Sequence, residues 1–171
     1  MLMIRPISYE VETSLTPKRV MRKLDGDLIE HRPTINILSQ GRFMKNHREE
    51  TIFYGHRTDA ESFQVFHHMA KKRDGGSTGF YGKVEKIEGG SRIYGKFRKP
   101  LYAYVFGIIW TIVVLFLTLM LVALKENTGA ICFAAIWIVG IFIMFWDNKK
   151  KFVRAYLDSF PTIKTDKGDE Q

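Results

Sequence analysis

Two apolar runs dominate the hydrophobic pattern of this chain, and only four residues separate them. Leu101–Leu124 holds 24 residues without a charge, Gly129–Trp146 holds a further 18, and Lys125, Glu126, Asn127 and Thr128 stand between them. A helix rises about 1.5 Å per residue and the hydrocarbon core of a bilayer is about 30 Å thick, so each run predicts a spanning helix. The short gap leaves room only for a tight turn, and the pair reads as a transmembrane helical hairpin.

Before the first run the period changes. Ile4, Ile7, Tyr9 and Val11 alternate loosely and predict a strand within residues 1–13. Leu15-Thr16-Pro17 then reads as a helix start, with Thr16 as N-cap and Pro17 at the first helical position, where its missing N–H costs nothing. Val20, Leu24 and Leu28, with Met21 beside them, give one apolar stripe on a basic helix ending near Glu30. Pro33 opens a new segment, and residues 34–39 read as a short strand.

The next stretch predicts an antiparallel β-meander, with strands at Thr51–Arg57, Ser62–His68, Phe80–Glu88 and Arg92–Arg98. In the last of these, Ile93, Gly95 and Phe97 fall on one face, and Arg92, Tyr94, Lys96 and Arg98 on the other. Gly89-Gly90 reads as the centre of a two-residue hairpin turn, because glycine tolerates the positive φ angles such a turn needs. Gly55, Gly82 and Gly95 inside strands predict bulges or strong curvature, as in a bent sheet or small β-barrel. Beyond the second apolar run, Phe152, Val153, Tyr156, Leu157 and Phe160 form an amphipathic stripe that Pro161 ends, and the tail from Thr165 reads as disordered.

The expected fold class is therefore a membrane α+β protein: a curved antiparallel β-meander or small β-barrel with one packed helix, plus the two-helix hairpin. Residues 1–99 form a cytoplasmic β-rich domain, 100–147 the hairpin (101–124 and 129–146), and 148–171 an amphipathic helix and polar tail.

Charge adds orientation. The 171 residues contain 26 Lys and Arg against 18 Asp and Glu, a net charge of +8. Lys96, Arg98 and Lys99 flank the first run, and Lys149, Lys150, Lys151 and Arg154 flank the second, whereas the turn carries only Lys125 beside Glu126. Positive charge stays on the cytoplasmic side, so both termini are expected there, at the inner (plasma) membrane. No apolar segment long enough for a signal-peptide core precedes Arg5 and Pro6.

Candidate chemistry is sparse. Cys132 is the only cysteine and lies inside the second run, so neither a disulfide nor a cysteine zinc site is expected. His67 and His68 are adjacent in a strand and point to opposite faces, which does not suit a shared metal. Carboxylates are scattered and form no motif with Ser, Cys or His, so no catalytic residue, metal or cofactor is expected and the chain reads as a non-enzyme. The loop from Lys71 to Gly79 is the best polar candidate: Lys71, Lys72, Arg73 and Ser77, with glycines between, suit an anion or a lipid headgroup. Arg92, Lys96, Arg98 and Lys99 extend that basic set toward the membrane. Within the spans, Gly107 with Thr111 and Ala130 with Ala134 are small-residue pairs suited to close helix packing.

The motifs Phe53-Tyr-Gly55, Phe63-Gln-Val65, Gly82-Lys-Val84 and Ile93-Tyr-Gly95, followed by the hairpin, give residues 51–160 a familiar layout. It resembles small uncharacterised bacterial membrane proteins in which a β-rich cytoplasmic segment leads into two transmembrane helices and a short amphipathic helix. It is more distantly similar to antiviral effectors that join two transmembrane helices to a nucleotide-sensing β-barrel, although those place the helices first.

These readings lead to a membrane-anchored binding or regulatory module that contacts anionic lipid. The alternative is a signal-gated effector whose β-domain senses a ligand, such as a nucleotide, and whose hairpin oligomerises to perturb the membrane. The implied partners are the lipid bilayer, a second copy of the chain and a phosphate-bearing small molecule; nucleic acid is the least favoured.

Overall fold

The structure is a computed structural model, and it describes residues 5–33, 37–71, 78–146 and 149–163. The fold is α+β. Strand β1 (Ile7–Thr13) and helix α1 (Pro17–Asp27) come first, followed by the two-residue strand β2 (Ile29–Glu30) and helix α2 (Ile37–Asn46). Strands β3 (Ile52–Arg57), β4 (Ser62–His68), β5 (Gly79–Ile87) and β6 (Gly90–Arg98) form the meander. Helices α3 (Leu101–Ala123), α4 (Asn127–Phe145) and α5 (Lys150–Asp158) complete the chain.

The six strands form one sheet in the order β1-β6-β5-β4-β3-β2. The sheet is open, so the barrel expected as one form of the fold is not present. It is also mixed rather than purely antiparallel, because β2 pairs parallel to β3 while the other neighbours are antiparallel. The ladders run without a break through Gly55, Gly82 and Gly95, where bulges were expected. These glycines are instead sites of close approach. A Cβ at Gly82 would meet Phe63 Cζ at 2.9 Å, and one at Gly95 would meet Phe80 Cζ at 2.9 Å. The missing side chains make a trough in the sheet, and the Phe63 and Phe80 rings, 5.9 Å apart, lie in it.

One face of the sheet carries the core. Phe63, Val65, Phe80, Val84, Ile93 and Phe97 are buried there, under Val20, Met21 and Leu24 of α1 and Val153 and Leu157 of α5, with Phe160 just beyond. Two helices therefore cover this face, where one was expected. The return of α5 is pinned at the far end of the sheet: Thr13 Oγ1 donates to the Pro161 carbonyl at 2.7 Å, and Ser14 N–H donates to the same oxygen at 2.9 Å. Along the way, Tyr9 OH donates to Asp158 and Tyr156 OH to Asp27. Pro17 sits in the first turn of α1 after Thr16, whose side chain makes no capping bond.

Among the described residues, the opposite face is covered only at one end. Phe43 of α2 stacks on His31 with centroids 3.8 Å apart and packs against Tyr54 at 5.2 Å, and Tyr54 stacks on Phe66. Residues 37–39, expected in a strand, are thus the first turn of a helix. The segment expected to end α1 near Glu30 stops at Asp27, and Ile29–Glu30 pairs with Tyr54 and Gly55.

Helices α3 and α4 pack against each other and are both long and apolar enough to cross a membrane. Only 11% of each apolar window is buried within the chain. Phe116 and Ile143, 67% and 70% exposed, typify the surface they present.

Candidate functional site

Both apolar helices join the sheet at one end. Strand β6 stops at Arg98 and α3 starts at Leu101, while α4 stops at Phe145 and α5 starts at Lys150. Lys99 and Lys149 are buried in this junction, and the Lys99 ammonium donates to the Trp146 carbonyl at 3.2 Å. Lys150 lies over the Phe97 ring, 5.9 Å from its centroid, and Lys151 over Phe152 at 5.0 Å. Helix α5 has no acidic residue in its first turn, so the partial positive charge of its N-terminus adds to these cations.

The same end holds His67, which stacks on Phe152 and packs against Phe53. Burial first, then Lys149 and His68, push the His67 imidazole down to about 4, so it is neutral at physiological pH. His68 points to the other face and is also pushed down, mainly by burial. Both histidines are buried rather than set at the surface.

From the junction, a basic and aromatic strip climbs the uncovered face. The register places Lys96 between Ser8 of β1 and Tyr81 of β5, and Tyr94 between Glu10 and Lys83. Arg92 lies one row higher between Glu12 and Glu85, and its guanidinium bonds the Glu12 carboxylate at 3.0 Å. The Arg98 guanidinium lies 4.0 Å from the Tyr81 ring centroid, close enough for a cation–π contact. Burial raises the Tyr81 phenol to about 12, so it remains a neutral donor.

The residues singled out in the sequence therefore separate into groups. Lys96 and Arg98 share the uncovered face, Lys99 is buried below it, and Arg92 is engaged with Glu12 at the far end of β6. Lys71 is exposed beyond β4, with its N–H donating to the Arg48 carbonyl; Lys72, Arg73 and Ser77 lie outside the described residues, as does the tail from Thr165. Between the helices, Gly107 is buried against Phe145 and Met144. Thr111 Oγ1 donates to the Gly107 carbonyl and accepts from the Trp137 indole N–H at 3.1 Å. Ala130 is buried in the same seam, and Ala134 is exposed. Sequence alternation gave the face of Lys96 and Arg98. It did not give Lys83 or Ser8, whose neighbours depend on strand order and register.

Among the described residues, no three His, Cys, Asp or Glu side chains are grouped to hold a metal ion. Comparison with protein-family models, curated proteins and solved structures finds no match to this chain.

Proposed function

We propose that the chain is a membrane-anchored binding or regulatory module rather than an enzyme. In this reading α3 and α4 span the inner (plasma) membrane, both termini are cytoplasmic, and the sheet rests on anionic headgroups. The observation that carries it is the junction: β6 enters α3, and α4 returns into α5, at the same end of the sheet and among the same cations. Lys96, Arg98, Lys150 and Lys151 surround that end and would stand at headgroup depth. Each well-placed cation there contributes on the order of 1 kcal/mol toward an anionic leaflet.

The test is fluorescence quenching of the full chain in liposomes, with either an anionic or a zwitterionic lipid carrying the brominated quencher. Trp146, 47% exposed at the junction, is the reporter once Trp110 and Trp137 are replaced by Phe. Anionic lipid should quench more at equal mole fraction, and high salt or the Lys150→Ser/Lys151→Ser variant should remove the difference. Equal quenching by both lipids at low salt would refute lipid selection at the junction.

The position of α5 favours a second reading, in which a ligand on the sheet acts on the hairpin. Helix α5 follows α4 in the chain and supplies Val153 and Leu157 to the core, so a change in the sheet would bear on the helix next in sequence to the second apolar helix. Toxicity on overexpression, abolished by changes at Gly107 or Thr111, would support this effector role; growth unaffected by the wild-type chain would count against it.

A further inference from the structure

We infer that the groove on the uncovered face, across β1, β6 and β5, is a binding site for a phosphorylated, hydroxylated ring. The groove has a volume of about 700 Å³. Tyr94 and Tyr81 supply aromatic surface on diagonal positions, and each has a lysine beside it across the strand pair: Lys83 next to Tyr94, Lys96 next to Tyr81. Neither lysine makes an ion pair with any described residue, in contrast to Arg92 one row above, which is held by Glu12. Two cations without an ion-pair partner among the described residues thus stand in the rows that also carry the tyrosines. Arg98, stacked on Tyr81, closes the junction end of the groove.

The two kinds of side chain select one chemistry. A phosphate between Lys83 and Lys96 takes charge-assisted hydrogen bonds from both. A ring attached to it lies against the tyrosines, whose exposed edges and faces favour flat, partly apolar surfaces. Glu10 and Ser8 form the opposite wall and accept from ring hydroxyls; Glu10 also disfavours a second phosphate on that side. The ligand class is therefore a sugar-like ring with a phosphate at one end.

Such a ring can come from a lipid headgroup or from solution. Tyr94 is four residues before Arg98, about 13 Å along the strand, whereas the headgroup zone of one leaflet is about 5–7 Å deep. An ordinary phospholipid reaches Arg98 but not Lys83. A tall phosphorylated headgroup, or a soluble compound of the same chemistry, reaches both. Lys96 is shared with the junction, whereas Lys83 and Tyr94 belong to this site alone, so loss of soluble-ligand binding in Tyr94→Ala tests it independently of lipid contact at Lys150 and Lys151.

The experiment uses the full chain in nanodiscs of neutral lipid, titrated by calorimetry with inositol 1-phosphate and with adenosine monophosphate. A parallel set of nanodiscs contains a phosphorylated inositol lipid or phosphatidylglycerol. Saturable binding of at least one phosphorylated ring is expected, weakened about a hundredfold in Lys83→Ser/Lys96→Ser, about tenfold for each of the two charge-assisted hydrogen bonds lost. Tyr94→Ala should weaken it also, and inorganic phosphate should not compete at equal concentration. Binding of the soluble compounds points to a solution ligand, and binding of the inositol lipid alone points to a headgroup; both support the site. No saturable binding of any ring, or binding unchanged in the lysine variant with an unaltered thermal transition, would overturn it.

Discussion

The imidazole of His67 on β4 lies nearly flat on the ring of Phe152 on α5, with centroids 4.7 Å apart and 15° between the planes. This contact fastens the returning helix to the sheet directly above the junction with α3 and α4. Burial and the neighbouring Lys149 keep the imidazole neutral there. Protonation would place a new positive charge beside Lys149 in a buried layer.

A pH dependence follows from the sign of that shift. The unfolded chain holds an ordinary histidine near 6.5, while the folded value is pushed down to about 4. The unfolded state therefore binds the extra proton as pH falls below about 6.5, and stability declines until about 4. The unfolding temperature of the detergent-solubilised full chain should drop between about pH 7 and pH 5. His67→Phe keeps a ring in the stack and should flatten part of that slope; His56 and His68, also pushed down, retain the rest. An unchanged slope in the variant would show that His67 is not the titrating group.

Helix α5 should be essential to the stability of the sheet. Leu157 is fully buried in the shared core, so Leu157→Ala should cost about 2–5 kcal/mol, measured by chemical unfolding. Lys151→Ala, on the exposed side of the same helix, should stay within about 0.5 kcal/mol of wild type. Equal effects would mean that α5 does not dock on the sheet. A fragment ending before α3 lacks Val153, Leu157 and Phe160 and should not unfold cooperatively.

The β5–β6 turn provides a finer test. Ile87 pairs with Gly90, so the central residues are Glu88 and Gly89, one position earlier than the sequence suggested. Gly89 alone among the described glycines has a positive φ, +79°, and open space around it. Gly89→Ala should therefore cost about 1 kcal/mol through backbone strain. At Gly90, a Cβ would collide with the Thr13 carbonyl oxygen on β1, so Gly90→Ala should cost more. The reverse ranking in thermal unfolding would show that the turn sits elsewhere.

How far the sequence foretold this structure depended on the range of the interactions. The alternation in β6 and the first half of β4 and the uncharged runs of α3 and α4 are local signals, and those elements appear close to the expected residues. Helix α2 was missed because Ile37 and Leu38 continue a β-branched, apolar run, while the stack of Phe43 on His31 and Tyr54 is tertiary. Strand β2 is two residues long and exists only through its parallel pairing with Tyr54 and Gly55. The apolar stripe of α5 was legible, but its partners were not: Phe97 and Val153 belong to one core although both apolar helices lie between them in the chain. In the candidate groove, alternation placed Lys96 and Arg98 on one face, and only the register added Lys83, Ser8 and Glu10.

The central claim is that α3 and α4 cross the membrane with the sheet on the cytoplasmic side. The most direct measurement is labelling by a membrane-impermeant maleimide in a Cys132→Ser background. Asn127, exposed at the start of α4 beside the α3–α4 turn, and Glu88, exposed in the β5–β6 turn, each receive a single cysteine. Asn127→Cys should label in intact cells, and Glu88→Cys only after the cells are permeabilised. Labelling of Glu88→Cys in intact cells while Asn127→Cys stays protected would contradict the orientation and the cytoplasmic role of the sheet.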